Sequence, residues 1–120
     1  QPHRICLEDG SPFVFAGLFE RWVDPEDDIV ESYTILTTEA NAVLRPIHAR
    51  MPVILVGDGP ARWLAGPPED LAGLLKPHSG EGFRAYTVSR HVNSPQNDDP
   101  VCIAPLDGAG GEMGEQARLF

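Results

Sequence analysis

The stretch from Glu31 to Leu55, ESYTILTTEANAVLRPIHARMPVIL, constrains the fold more than any other part of the chain. It begins with an alternating segment, Ser32 to Thr38, which is typical of a β-strand. Thr38 is the predicted cap of a short helix at Ala42 to Leu44. Pro46 ends that helix because it lacks a backbone donor and restricts the residue before it. The sequence therefore predicts a strand that enters a short capped turn.

A second strand follows this turn. Pro52 is tolerated there because it precedes the strand predicted at Val53 to Val56. His48 lies between Pro46 and Pro52, which stiffen the backbone on both sides of it. The whole stretch predicts a strand-turn-strand unit that holds one histidine on a rigid edge, and this is the first place to look for chemistry.

The remaining patterns predict more strands and short helices. Ser11 to Leu18 is predicted as a strand that Glu20-Arg21-Trp22 ends, and that pairs with Ser32 to Thr38 across a solvated connection, Val23 to Glu31. Further along we expect helices at Pro60 to Leu64 and Pro68 to Leu75, a strand at Arg84 to Ser89, a loop at Asn93 to Pro100 and an extended piece at Val101 to Pro105. Such interspersed elements, without regular βαβ alternation, predict an α+β fold with a mainly antiparallel β-sheet and short helices.

Length and composition narrow the class of protein. The 120 residues have room for one domain, and residues 107–120, rich in glycine, are predicted to be a disordered tail. A formal net charge of −9 argues against nonspecific binding of nucleic acid, although a local basic groove would override the total. The longest apolar runs are too short to span a bilayer, and the first residues do not resemble a secretion signal, so a cytoplasmic protein with reduced Cys6 and Cys102 is expected.

Candidate catalytic and ligand residues are few. His48 is either a catalytic histidine or a structural one whose ring satisfies loop carbonyls, and Glu20, Glu31 and Glu39 are possible partners by residue type alone. Trp22 and Trp63 suit either base stacking or packing in the core. No two histidines have the spacing of a metal site, and the pair His3 and Cys6 has no partner motif, so neither a metal site nor a cofactor is predicted.

Three blocks of the sequence carry a resemblance: PFVFAGLFERW, ESYTILTTEANAVLRPIHARMPVIL and YTVSRHVNSPQNDDP. Together, and in this order along the chain, they resemble the SOS response-associated peptidase (SRAP) family, from about Pro2 to Pro105. The resemblance implies a β-rich α+β fold and binding to single-stranded DNA that carries abasic sites, as part of the response to DNA damage. It also implies a covalent protein-DNA crosslink, in which an N-terminal Cys joins its amine and thiol to the opened sugar as a thiazolidine. Autopeptidase activity, a hydrolase reaction, exposes that Cys where it applies.

The same resemblance assigns roles to individual residues. His48, in PIHARMP, matches the active-site histidine, which would transfer protons during ring opening and crosslink formation. Arg50 matches a position expected to bind a DNA phosphate, and Thr37 is expected beside the same DNA backbone.

Several family blocks have no counterpart in the 120 residues: the Met-Cys-Gly-Arg start, the segment with the active-site Asn and the block with the catalytic Glu. Glu20 belongs to a later block, and Cys6 lies in a different context from the nucleophile. Residues 1–106 are therefore expected to form the C-terminal part of a single SRAP-like domain that is inactive alone. The alternative is a noncatalytic remnant or interaction module of the same fold. Exposed sheet edges would favour self-association in either case.

Overall fold

A computed structural model describes residues 1–106, and the predicted tail, 107–120, lies outside the described residues. The predicted α+β class is confirmed, because the chain is mostly antiparallel strands with a few short helices. None of the helices within residues 1–106 has the length and apolar character needed to cross a bilayer.

The strands are β1 (His3–Leu7), β2 (Val14–Phe15), β3 (Gly17–Val23), β4 (Ile29–Ile35), β5 (Thr37–Glu39), β6 (Arg50–Pro52), β7 (Ile54–Leu55) and β8 (Phe83–Thr87). The α-helices are α1 (Gly59–Ala65) and α2 (Pro68–Leu71), and 3-10 helices span Ala72–Leu74, Arg90–Asn93 and Pro100–Ile103. They belong to two compact units. The first unit contains Gln1–Pro12, Ala40–Ala49 and the chain from Ser79, and the second unit contains Phe13–Glu39 and Arg50–His78.

The first unit is built on β1 and β8, which pair antiparallel with His3 opposite Thr87. Cys6 on β1 is buried in a cluster with Tyr86 of β8 and with Val88, which directly follows that strand. The Tyr86 hydroxyl donates a hydrogen bond to the carbonyl of Ile103 at 2.6 Å, which ties the last 3-10 helix to this strand pair. β1 is absent from the elements predicted from sequence.

The second unit contains three strand pairs, β2 with β7, β3 with β4 and β5 with β6. The pairs meet at the single residues that interrupt the strands: Ala16, Leu36 and Val53. Ala16 N–H donates to Val53 O (2.8 Å), Val53 N–H to Leu36 O (2.9 Å) and Leu36 N–H to Ala16 O (3.0 Å). These three backbone hydrogen bonds close a ring, at a point where Ala16 and Val53 are almost fully buried. Leu55 shares this core, with Leu36, Trp63 and Leu74 packed against it.

The predicted hairpin is confirmed but its bounds are wrong. β3 continues through Trp22 to Val23 and pairs with β4 along its whole length, so the predicted stop at Glu20-Arg21-Trp22 does not occur. The connection shrinks to residues 24–28, because the Asp24 carboxylate accepts hydrogen bonds from the N–H groups of Glu26 and Asp28, both at 2.8 Å. An Asx turn of this kind closes a short loop. The polar composition of Val23 to Glu31 predicts a longer connection.

The two proline-led helices are confirmed, and one predicted strand is wrong. α1 has its proline in the first turn, and α2 with the 3-10 helix that follows it covers most of Pro68 to Leu75. Val101 to Pro105 was expected to be extended, whereas Pro100–Ile103 is a 3-10 helix. The Asp99 side chain caps this helix and Pro100 begins it, a pairing of cap and proline that favours a helix start.

Gly17 gives a test of the tight packing beside the ring. A β-carbon built on Gly17 would lie 3.0 Å from the carbonyl oxygen of Thr34, whereas one on Gly73 would meet nothing within 4 Å. We expect Gly17→Ala to lower the free energy of unfolding by about 1–2 kcal/mol, because the obstacle is backbone that cannot rotate away. Gly73→Ala, the matched control, should be neutral or slightly stabilising. Urea denaturation measures both, and equal effects at the two sites would contradict this account of the packing.

Candidate functional site

His48 lies at the end of a capped turn in the first unit. The Asn41 side-chain oxygen accepts hydrogen bonds from the N–H groups of Val43 (3.1 Å) and Leu44 (3.0 Å), so Asn41 is the cap. The predicted cap, Thr38, is wrong because that residue belongs to β5. The predicted helix at Ala42 to Leu44 is a run of turns instead.

The turn that carries His48 is fixed at several points. His48 N–H donates to Leu44 O at 2.9 Å, and Ala40 N–H donates to Ala49 O at 3.0 Å, which closes the segment at its ends. Val43 and Leu44 are buried, so the turn is anchored by side chains as well as by its backbone. The imidazole is exposed at the end of this anchored turn. The histidine is therefore presented to solvent from a fixed segment of backbone.

Arg50 and Thr37 are brought together in the second unit. They lie on paired strands, with Thr37 opposite Pro52 and Glu39 opposite Arg50. The Arg50 guanidinium reaches diagonally across the pair, and its Nη2 donates to the Thr37 carbonyl at 2.9 Å and to the Thr37 hydroxyl at 3.1 Å. Both residues are exposed. The result is a guanidinium that is oriented by the sheet at the protein surface, which suits recognition of a phosphate or carboxylate.

The predicted partner carboxylates all lie on strands of the second unit. Glu31 on β4 faces Arg21 on β3, with 4.0 Å between Arg21 Nε and Glu31 Oε1. Glu20 is opposite Ser32 in the same hairpin, and Glu39 is on β5. All three carboxylates are exposed on these strands.

The two tryptophans have different environments. Trp63 on α1 packs against the buried cluster, and its indole N–H donates to Gly17 O at 3.0 Å, which is the core role left open by the sequence. Trp22 on β3 is 55% exposed. Of the two, Trp22 is the more exposed.

Sequence reasoning missed a second polar cluster, in the first unit. His91 Nε2 lies 3.0 Å from Asp99 Oδ2, and Asn97 Nδ2 donates to His91 Nδ1 at 3.3 Å and to His91 O at 2.7 Å. The hydrogen bond from His91 holds the pKa of the Asp99 carboxyl below its ordinary value. Cys102 completes the cluster. Asp99 and Cys102 follow His91 by eight and eleven positions and are three apart from each other, a spacing that matches none of the metal motifs considered in the sequence. The only other sequence signal is the Asp-Pro helix start.

Comparisons with known proteins establish the class of protein to which this fold belongs. Solved structures share the fold: one from Bacteroides thetaiotaomicron aligns with a TM-score of 0.74 and 29% identity over 86% of this chain and 48% of its own. Another, from Bordetella bronchiseptica, gives a TM-score of 0.66 and 32% identity over 73% of this chain and 45% of its own. The fold of this chain is therefore shared with solved structures, of which it spans about half.

The family model for SOS response associated peptidase (SRAP) matches residues 1–95, and the chain belongs to that family. Among curated relatives, the abasic site processing protein YoqW of Bacillus subtilis is 42% identical over 85% of this chain. The abasic site processing protein HMCES of Pongo abelii is 39% identical over 77% of this chain. These alignments cover 47% and 27% of the relatives, so the chain spans about half the length of YoqW and about a quarter of that of HMCES.

Thr37 gives a test of how Arg50 is oriented. Thr37→Val keeps the β-branched shape but removes the hydroxyl acceptor, whereas Thr37→Ser keeps the acceptor. We expect both to change the free energy of unfolding by no more than about 0.5 kcal/mol, because the site is exposed. Thr37→Val should lower the order of the Arg50 guanidinium measured by NMR relaxation of its Nε–H group, and Thr37→Ser should preserve it. Unchanged order in Thr37→Val would show that the hydroxyl does not orient Arg50.

Proposed function

We propose that this chain provides the part of an SRAP domain that carries His48, Arg50 and Thr37, and that it binds single-stranded DNA containing abasic sites. The observation that carries the proposal is the Arg50 guanidinium, held by two hydrogen bonds to Thr37 at the protein surface. Membership of the SRAP family and the names of the relatives, which are abasic site processing proteins, support the choice of DNA as the ligand.

Arg50 is proposed to bind a phosphate of the DNA backbone. A guanidinium offers donors in a planar fork that matches phosphate oxygens. The hydrogen bonds to Thr37 already restrict the conformations of the Arg50 side chain, so less side-chain entropy is lost when a phosphate binds. The net charge of −9 is a weak objection, because a phosphate contact depends on the local field of the cation. We therefore expect moderate affinity with a marked dependence on salt.

His48 is proposed to transfer protons when the abasic sugar opens and reacts. Ring opening at an abasic site needs a proton taken from one oxygen and given to another, and imidazole performs both steps near neutral pH. The capped turn and its buried anchors, Val43 and Leu44, support this role because they restrict where the imidazole can go. In the family chemistry this proton transfer assists a thiazolidine formed by an N-terminal Cys, and the autopeptidase step that exposes it.

The 120-residue polypeptide by itself is proposed to bind DNA without crosslinking it. A thiazolidine needs a free amine and a thiol on the same residue, whereas the amines of Cys6 and Cys102 are both engaged in peptide bonds. Cys6 is buried on β1, and Cys102 is internal to a 3-10 helix. Both thiols are unpaired, which is consistent with the proposed reducing cytoplasm.

Binding is tested by fluorescence anisotropy with a single-stranded oligonucleotide that carries a tetrahydrofuran abasic analogue. We expect Arg50→Gln to weaken binding about tenfold, because a hydrogen-bonded charge pair is lost. The slope of log K against log salt should fall by about 0.7, the value for one phosphate on a single strand. Arg62→Gln is the matched control, since Arg62 lies on α1 beside Asp58. Equal weakening by both substitutions would contradict a specific role for Arg50.

Crosslinking is tested with a single-stranded oligonucleotide that carries a natural abasic site, analysed on a denaturing gel. We expect no adduct with the 120-residue chain, while a short peptide with an N-terminal Cys serves as the positive control for aldehyde capture. His48→Gln should not change this result. An adduct that survives denaturation would overturn the proposal that this chain is inactive alone, without affecting the proposal on binding.

A second candidate function is a noncatalytic interaction module. The β3–β4 hairpin favours it, because large side chains along both strands are exposed, among them Phe19 (66%) and Tyr33 (80%). Leu18, Phe19, Glu20, Ser32, Tyr33 and Thr34 line a pocket of about 570 Å³ on this hairpin. If the chain is such a module, it should self-associate in sedimentation experiments. It should also bind the abasic oligonucleotide no more tightly than the same oligonucleotide without the abasic site.

A further inference from the structure

The cluster of His91, Asp99 and Cys102 brings together three metal ligands of different chemical types. One donor atom from each residue lies within 4.8 Å of the other two. We propose that these three side chains form a binding site for one Zn²⁺ ion. The site lies within the first unit, shares no residue with the proposed DNA contacts and does not depend on the proposed function.

The distances are close to those that a zinc ion requires. Zinc bonds of about 2.0–2.3 Å in a tetrahedral arrangement place neighbouring ligand atoms about 3.3–3.8 Å apart. His91 Nε2 and Asp99 Oδ2 are now 3.0 Å apart, at hydrogen-bond distance, and no donor pair exceeds 4.8 Å. Each separation therefore needs to change by about 1 Å or less, which rotation of side chains supplies.

The donor set selects the metal. A thiolate, an imidazole and a carboxylate are all common zinc ligands, and the thiolate disfavours the hard ions Mg²⁺ and Ca²⁺, which prefer oxygen. Three protein ligands leave the fourth tetrahedral position for water. The side chains of His91 and Asp99 are 34% and 46% exposed, so an ion and its water can reach the site.

Two of the ligands are positioned by one short helix. Asp99 caps the 3-10 helix Pro100–Ile103, since its Oδ1 accepts a hydrogen bond from Val101 N–H at 3.0 Å. Cys102 N–H donates to the Asp99 carbonyl at 3.1 Å. The Tyr86 hydroxyl, bonded to Ile103 O, fixes the end of the same helix. The backbone that carries the carboxylate and the thiol is therefore already ordered before any metal binds, which lowers the entropy cost of binding.

The third ligand is held by its own contacts. Ser89 caps the helix Arg90–Asn93 by accepting a hydrogen bond from His91 N–H, and Asn97 contacts the His91 ring at Nδ1. When Nε2 binds zinc, the ring proton moves to Nδ1, and the Asn97 amide must turn its oxygen toward it. The thiol of Cys102 gives its proton to solvent, so binding of Zn²⁺ releases one proton.

The other candidate pair, His3 and Cys6, is separated by the fold. Residues three apart on a strand point to opposite faces, and Cys6 is buried with Tyr86 and Val88. The sequence contains two cysteines and four histidines, so Cys6 and His3 provide matched controls for Cys102 and His91.

The test uses the reduced 120-residue chain. Titration with Co²⁺, a spectroscopic substitute for Zn²⁺, should give a 1:1 complex with a thiolate-to-cobalt absorption band, and Zn²⁺ should displace the cobalt. Three single substitutions, Asp99→Asn, Cys102→Ser and His91→Gln, should each weaken metal binding more than about 100-fold, and Asp99→Asn does so while keeping an oxygen that can cap the helix. Loss of a residue that only contacts a metal ligand already costs about 10- to 100-fold in affinity, so loss of the ligand itself should cost more. Cys6→Ala and His3→Gln should bind as the parent does.

A second measurement needs no substitution. Bound Zn²⁺ should slow alkylation of Cys102 by a thiol reagent, read by mass spectrometry of the two cysteine peptides, without changing the rate at Cys6. Absence of a thiolate band with micromolar Co²⁺, or binding that survives Cys102→Ser, would overturn the proposal. So would a band that disappears in Cys6→Ala while circular dichroism shows that variant to be folded.

Discussion

The ring of backbone hydrogen bonds among Ala16, Leu36 and Val53 is the constraint on which the second unit depends. Each residue donates to one of the others and accepts from the third. Because Ala16 and Val53 are almost fully buried, an unpaired N–H or C=O at either would cost free energy comparable to a lost hydrogen bond. The ring satisfies all three residues at once. It also lets each long extended segment leave one partner strand and join another.

The ring fixes the surface that carries Arg50. Leu36 directly precedes β5, and Val53 directly follows β6, so the bond between Val53 N–H and Leu36 O sets the register in which these strands pair. That register puts Arg50 opposite Glu39, close enough for its guanidinium to reach Thr37. A slip of one residue would send these side chains to the other face. The orientation of an exposed cation is thus determined by buried backbone.

The sequence predicts the elements whose signals are local, and it fails where pairing is not local. Proline-led helices and the β3–β4 hairpin follow from residues close together in the chain. The exchange of partners at Ala16, Leu36 and Val53 does not, because it depends on three segments meeting. Thr38 and Asn41 are both residue types that cap helices. Asn41 is the cap because it directly precedes the turn, whereas Thr38 pairs with Met51 in β5.

The same distinction separates the two sites. His48, Arg50 and Thr37 lie within one short stretch of sequence, and the resemblance to the SRAP family is what selects Arg50 and Thr37 as candidates. Asp99 and Cys102 are instead positioned by the 3-10 helix Pro100–Ile103, in a segment that the sequence predicts to be extended. The two proposals also rest on different physics. Phosphate binding by Arg50 would be an electrostatic attraction that salt weakens through release of counterions, whereas zinc binding would depend on the geometry and chemical type of three donor atoms. Salt should therefore affect the first proposed interaction more than the second.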